Sequence, residues 1–421
     1  MRVASVLGAA ATLLSGASAQ SVLGFNCGAT SDTGAAKTQA DFEKEFKTAQ
    51  NLDGAPADFN TIRLYSNIQA GTTDSPIEAF PAAIATGTKL FLGIWASGTD
   101  NIDNELKALS AAVSAHGTKL TDLIVALSVG SEDMYRVSDA GIRAKAGVGN
   151  GAETIVGFIR DARSKLKGTP LANVPITHVD TWTAWVNTTN KAVIDEIDFL
   201  SVNAFPFYES ENDNRVSNAG SLLDVAISST EGVAGGKDVW VTETGWAYTG
   251  PSFGAGVATV DNAETYWQTV GCPLFTERNT FWYTLRDANP ANQVKFAITD
   301  NLSTTPRFNI SCPTNKSSHK NSTSGSSTSS GSTHTASGSS SNTASGYSAH
   351  STGSANGIYG SNSTGSANGT WGSNSTSTGQ GYNSTSGASQ STGAGSLISV
   401  STVNSMAMVM SVVFALGAWA L

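Results

Sequence analysis

The sequence predicts an α/β fold, a (β/α)8 TIM barrel followed by a disordered stalk rich in Ser, Thr, Gly and Asn. Three observations predict it. Eight short apolar runs alternate with amphipathic helical stretches between Gln20 and Pro313. The runs are predominantly apolar, as strands buried in a parallel sheet are. Beyond them, from Asn321 to Leu421, the chain has no Asp, Glu, Lys or Arg, so that stretch lacks the means to bury a core.

The runs are Val22 to Asn26, Thr61 to Tyr65, Leu90 to Trp95, Leu123 to Val129, Val174 to Val179, Ile197 to Asn203, Val239 to Thr242 and Thr280 to Leu285. Each is short and rich in β-branched or aromatic residues, which is the strand signature. Between them, Phe42, Phe46 and Ala49 share a helical face, as do Leu106, Leu109 and Val113 before Gly117, and Ile155, Ile159, Ala162 and Leu166 before Gly168. A glycine just past the last periodic residue is the expected helix stop. Eight such alternations close into a barrel whose polar chemistry sits at the C-terminal strand ends. The rival, an open doubly wound sheet, calls for a phosphate-binding glycine turn after the first strand. Gly24-Phe25-Asn26-Cys27-Gly28 has neither the spacing nor a following helix start. Gly147, Gly149 and Gly151 precede a helix with no strand before them and read as a flexible lead-in.

Both ends read as segments outside the fold. Val3 to Leu14 is apolar, follows Met1-Arg2 and leads to the small-x-small site Ala17-Ser18-Ala19, so residues 1–19 are an expected signal peptide. That apolar run is well short of the roughly 20 residues a spanning helix needs. Residues 20–313 form the expected barrel domain and 314–395 the stalk. Residues 396–421 match a removable GPI-attachment signal, with a polar spacer, the apolar run Met406 to Leu421, and the small residues Gly393, Ala394, Gly395 and Ser396 as attachment choices. Asn-x-Ser/Thr acceptors for glycosylation stand at Asn187, Asn301, Asn309, Asn315, Asn321, Asn362, Asn368, Asn374 and Asn383.

A net charge of -9 argues against nucleic acid as a partner and is compatible with an uncharged polysaccharide. Three cysteines, Cys27, Cys272 and Cys312, leave one unpaired. Cys272 with Cys312 is the preferred pair, since both fall late in the domain. No Cys/His spacing suggests a metal, no cofactor is implied, and a monomer is the default expectation.

Two carboxylates end otherwise apolar runs, Glu132 after Leu123 to Ser131 on the fourth and Glu243 after Val239 to Thr242 on the seventh. Taken singly, either serves equally well as a capping or ion-paired residue. As a pair on strands four and seven they face one another across the ring. Acetal cleavage needs a proton for the leaving oxygen and a negative partner for the oxocarbenium-like carbon, which one protonated and one ionised carboxyl supply. At roughly 5 Å two carboxylates repel by about 3 kcal/mol at an effective dielectric of about 20, so one keeps its proton near neutral pH. Arg63, ending strand two, is a candidate for orienting a catalytic carboxylate, with a surface or structural salt bridge as the equal alternative. Tyr65, Trp95, Trp182, Trp185, Phe205, Phe207, Tyr208, Trp246 and Tyr283 gather at the same strand ends, where rings stack on sugar faces or pack under loops. Trp246, three residues past Glu243, is the foremost stacking choice.

Over Val22 to Arg286, and above all in Leu123 to Asp133 and Val239 to Trp246, the chain resembles a fungal family 17 glycoside hydrolase of the glucan endo-1,3-β-glucosidase type. The resemblance implies a retaining enzyme acting on β-1,3-glucan, with Glu132 as proton donor and Glu243 as nucleophile. Two positions depart from the pattern. Ser131 stands where the clan usually has Asn, and Ala247 where the family often has Pro. Ser reaches less far than Asn toward the sugar 2-hydroxyl, which leaves Asn203, ending strand six, to compensate. Transglycosylation, in which a sugar rather than water resolves the glycosyl-enzyme, uses the same glutamates. A non-catalytic glucan-binding wall protein is the alternative of another class, and loss of either Glu would favour it.

Overall fold

The computed structural model describes residues 21–313. The expected signal peptide, stalk and anchor signal lie outside the described residues. So do Asn315, Asn321, Asn362, Asn368, Asn374, Asn383 and the attachment choices Gly393 to Ser396. Eight parallel strands close into one barrel in sequence order. They are β1 (Leu23–Cys27), β2 (Thr61–Leu64), β3 (Lys89–Ile94), β4 (Ile124–Ser131), β5 (Ile176–Thr181), β6 (Leu200–Asn203), β7 (Val239–Thr244) and β8 (Thr280–Trp282). The apolar runs locate all eight. β6 starts three residues later than its run, residues 197–199 forming the bend between the helix Lys191–Glu196 and the strand.

Helices pack outside the strands through the faces their periodicity sets. Phe42, Phe46 and Ala49 of helix Gln39–Gln50 are buried, as are Ile155, Ile159, Ala162 and Leu166 of helix Ala152–Leu166. Thr38 and Asp41 close a reciprocal capping box on the first of these. The outer core between strands and helices is one large cluster, whereas a smaller cluster, Phe91, Ala126, Val179, Phe199 and Phe281 with Trp240, fills the barrel interior. The rings of Phe199 and Trp240 lie 4.3 Å apart and those of Phe91 and Phe281 5.4 Å apart, so the lumen is a packed plug.

Two expectations are corrected. The eighth alternation lacks its helix: after β8, residues 283–313 carry none. Asp287 there accepts the backbone N–H groups of Phe296 and Ala297, a side-chain contact that competes with helix formation. The segment is held by the Cys272–Cys312 disulfide and by Trp267, whose indole donates to the Ile310 carbonyl at 2.8 Å. The glycine lead-in before helix Ala152–Leu166 is not loose throughout: Gly147 and Gly151 are exposed with open space around them, but Gly149 is closely packed. A Cβ on Gly149 would stand 2.3 Å from the Asp133 carbonyl, so only glycine lets this loop lie against the end of β4. The third cysteine, Cys27, is buried beside Lys37, whose ammonium donates to its sulfur at 3.4 Å and pairs with buried Glu45 at 2.6 Å. Burial pushes its thiol well above the usual range, which makes it inert.

Candidate active site

Polar side chains gather at the C-terminal strand ends, above the aromatic plug. Glu243 on β7 is 8% exposed and Glu132, just past β4, is 6% exposed. The expected pairing across the ring is present electrostatically: the charge of Glu243 is, after burial itself, the largest influence raising the Glu132 pKa. The Arg136 guanidinium, 3.9 Å from Glu132 Oε2, and a hydrogen bond from Asn203 oppose that rise only in part. Glu132 is therefore held protonated into the neutral range, as a proton donor requires.

Glu243 has the opposite surroundings. Arg63 of β2, fully buried, donates through Nη1 to Glu243 Oε1 at 2.5 Å and to Asn26 Oδ1 at 2.8 Å, and through Nη2 to Ser131 Oγ at 3.1 Å. The guanidinium lies 4.9 Å from the Tyr65 ring and 6.0 Å from Phe91 in the plug, so the barrel floor supports it from beneath. Tyr65 also hydrogen-bonds to Glu243, and its phenol is pushed well up by burial and by that carboxylate's charge. A buried carboxylate fixed by a guanidinium and a phenol is oriented without rotameric freedom.

Asn203 reaches Glu132 rather than open cleft: its Nδ2 donates to Glu132 Oε1 at 2.9 Å while its Oδ1 accepts from Thr242 Oγ1 at 2.9 Å. Ser131 serves the Arg63 network through its hydroxyl. Trp95 is buried, with its indole donating to the Ser97 carbonyl and the Arg136 guanidinium 5.6 Å from its ring centre. Tyr208 is buried among Phe207, Phe253 and Phe296, its phenol oxygen without a hydrogen-bond partner. Trp246 is the clear correction among the rings. It is 2% exposed, packs on Phe207 and Tyr266 at 5.2 and 5.5 Å, and donates its indole N–H to the Val257 carbonyl, so no face is free for a sugar.

The sequence reading missed four members. Asn26, next to last in β1, anchors Arg63 and donates to the Thr242 carbonyl at 3.0 Å. Arg136 donates to Ser97 Oγ and to the Ser131 carbonyl, at 2.6 and 2.7 Å. His178 and Asp180 lie fully buried on β5 beside the Glu132 turn. A signal existed for Asn26, a polar residue ending an apolar run, whereas His178 and Asp180 alternate with the inward-facing Val179 and so lie on the outer face of β5, His178 against Trp185, where no pattern in the run marks them.

Three comparisons with known proteins follow from this geometry. The BtgE/BtgC glycoside hydrolase domain matches residues 24–298. "Probable glucan endo-1,3-beta-glucosidase eglC" of Aspergillus oryzae is 52% identical over 69% of this chain, and the match spans 62% of that relative's length. "Glucan 1,3-beta-glucosidase" of Saccharomyces cerevisiae is 30% identical over 65% of this chain and 84% of its own. A solved structure, an active-site mutant of Rhizomucor miehei β-1,3-glucanosyltransferase in complex with laminaritriose, covers 68% of this chain and 96% of its own with a TM-score of 0.53 and 21% identity, a likeness of fold. With a barrel of this topology and two carboxylates in contrasting environments at its mouth, the chain belongs to the BtgE/BtgC glycoside hydrolase family.

Proposed function

We propose that this protein cleaves β-1,3-glucan within the chain and with retention of configuration, Glu132 acting as acid and base and Glu243 as nucleophile. The observation that carries the reading is the asymmetry of the two buried carboxyls. Glu132 is kept protonated by burial and by the charge of Glu243, while Glu243 is oriented by Arg63 and Tyr65. In the first step the Glu132 proton passes to the glycosidic oxygen as that bond breaks and a Glu243 oxygen bonds to the anomeric carbon. In the second, Glu132, now a carboxylate, takes a proton from water as its oxygen displaces Glu243. The substrate is supported by the name borne by the Aspergillus oryzae relative. A sugar hydroxyl in place of water gives transglycosylation on the same residues.

The substrate lies beside Tyr65, Trp95 and Tyr208, and the enzyme works as a monomer without metal or cofactor. The N-terminal apolar run and the uncharged Ser/Thr/Gly/Asn-rich tail support export, glycosylation and display at the outer membrane face or in the wall through a GPI lipid. The test is incubation of the protein with a β-1,3-glucan oligosaccharide, with product masses and anomeric configuration followed beside Glu132→Gln and Glu243→Gln. Shorter products of retained configuration, lost in both variants, are expected. Products longer than the substrate reveal transfer. Binding without any change in length would overturn the reading for this glucan.

A further inference from the structure

Glu132 has φ +61°, a left-handed backbone conformation that is strained for a residue with a β-carbon, and Gly130 two residues earlier has φ +80°. The pairing of β4 with β5 slips between Ser128 and Ser131, so the end of β4 leaves the regular ladder where Glu132 must be aimed. Three successive β5 residues catch the distorted turn. His178 Nδ1 lies 2.7 Å from the Val129 carbonyl, the Val179 carbonyl accepts from Glu132 N at 2.7 Å, and Asp180 Oδ2 accepts from Met134 N at 3.0 Å. Asp180 Oδ1 accepts from Thr181 N at 2.8 Å. The two side chains are joined by a 3.0 Å contact from His178 Nε2 to Asp180 Oδ2.

The proton inventory of this pair follows from its acceptors. A backbone carbonyl only accepts, so His178 Nδ1 carries a proton. A bare Nε2 lone pair would repel a carboxylate oxygen, so a second proton lies between Nε2 and Asp180. The pair is a neutral unit with its negative end on Asp180, and it is solvent-free. We infer that His178 and Asp180 are positioning residues for Glu132: they hold its turn in the left-handed conformation and set the Asp180 carboxylate within reach of its carboxyl. This rests on the proposed function, since it deepens the role of Glu132 as acid.

The charges that reach Glu132 are consistent with the assignment. Glu243 on β7 and Asp180 on β5 raise its pKa, Arg136 on the following turn and Asn203 on β6 lower it, and the phenols of Tyr65 and Tyr135 lie within its electrostatic reach. Asp133 flanks the other side of His178 and is bonded to Ser97 and to the Ser131 N–H. Negative and positive groups therefore alternate from Asp133 through His178 to Asp180.

The test uses the whole protein, its Asp180→Asn and His178→Gln variants, and two substrates. One is a β-1,3-glucan oligosaccharide. The other is a dinitrophenyl β-glycoside with azide, whose leaving group and nucleophile need neither acid nor base. Asp180→Asn is expected to lower kcat on the oligosaccharide about 10- to 100-fold with KM within about twofold, and to move the alkaline limb of the rate profile down by about half a pH unit or more. Dinitrophenolate release should stay within about threefold of wild type. His178→Gln strips the positive end from Asp180 and is expected to move the alkaline limb upward, so it also serves if the first variant fails to fold. Alkaline limbs unmoved in folded variants, or equal losses on both substrates, would overturn the inference. Wild-type protein inactive on both substrates would instead remove the proposed function, and this inference with it.

Discussion

Replacing Arg63 tests the core of the site. Arg63→Met removes an ion-paired bond to Glu243 and bonds from the same guanidinium to the neutral acceptors of Asn26 and Ser131 in one step, at a position with no exposed surface. A charge-assisted bond is worth about 1.5–3 kcal/mol, which corresponds to a loss of roughly 10- to 150-fold in kcat/KM if all of it acts on the transition state. Leaving Glu243 buried without its partner costs about 3–5 kcal/mol of stability, equivalent to a fall in Tm of about 6–10 °C for a domain this size. Arg63→Lys keeps the charge but loses the planar fork. It should retain the Glu243 contact, abandon Asn26 or Ser131, and fall between Met and wild type in both measurements. The assay is initial-rate release of reducing ends from a β-1,3-glucan oligosaccharide well below either variant's Tm, beside thermal melting. Arg63→Met with more than a third of wild-type kcat/KM and an unchanged Tm would refute the view that this guanidinium organises the nucleophile.

Two further outcomes are expected. Glu105 is buried under the loops after β2 and β3, where it accepts from Ser66 Oγ and Asn67 N, and burial raises its pKa to about 7. A folded pKa above the unfolded value means the folded state holds the proton more tightly. Stability is thus fully present below about pH 4.5 and falls by up to about 3 kcal/mol as pH rises through 7. Glu105→Gln should flatten the decline of Tm between pH 5 and 8, and an identical decline in both proteins would count against the assignment. Trp246→Phe should lower Tm through lost packing and the lost indole bond while leaving KM within about twofold. A large rise in KM with unchanged Tm would restore the tryptophan as a stacking surface.

The strands were legible because a parallel barrel demands apolar runs of a fixed length, and that demand is met locally by residues such as Leu123 to Val129. Glu132 and Glu243 were legible for a related reason, since a carboxylate at the end of such a run is costly and conspicuous. What surrounds them was less so. Arg136 lies four residues past Glu132, but its contact with Ser97 arises from a turn that no periodicity announces. Sequence proximity placed Trp246 near Glu243 without saying which side of the wall its ring would enter. Asn203 was rightly assigned to the mouth, yet its amide faces a carboxyl rather than open space, a matter of side-chain direction that only the β6–β7 register decides.

The aromatic plug formed by Phe91, Phe199, Trp240 and Phe281 makes the barrel a blind vessel. Nothing can pass along the axis, so the polymer proposed as substrate would have to be seized from the side and lie athwart the opening, and both fragments would leave by the way they came. The enzyme's reach along a fibre is governed by the loops at the rim, while the lumen only bears the load of holding Arg63 in place.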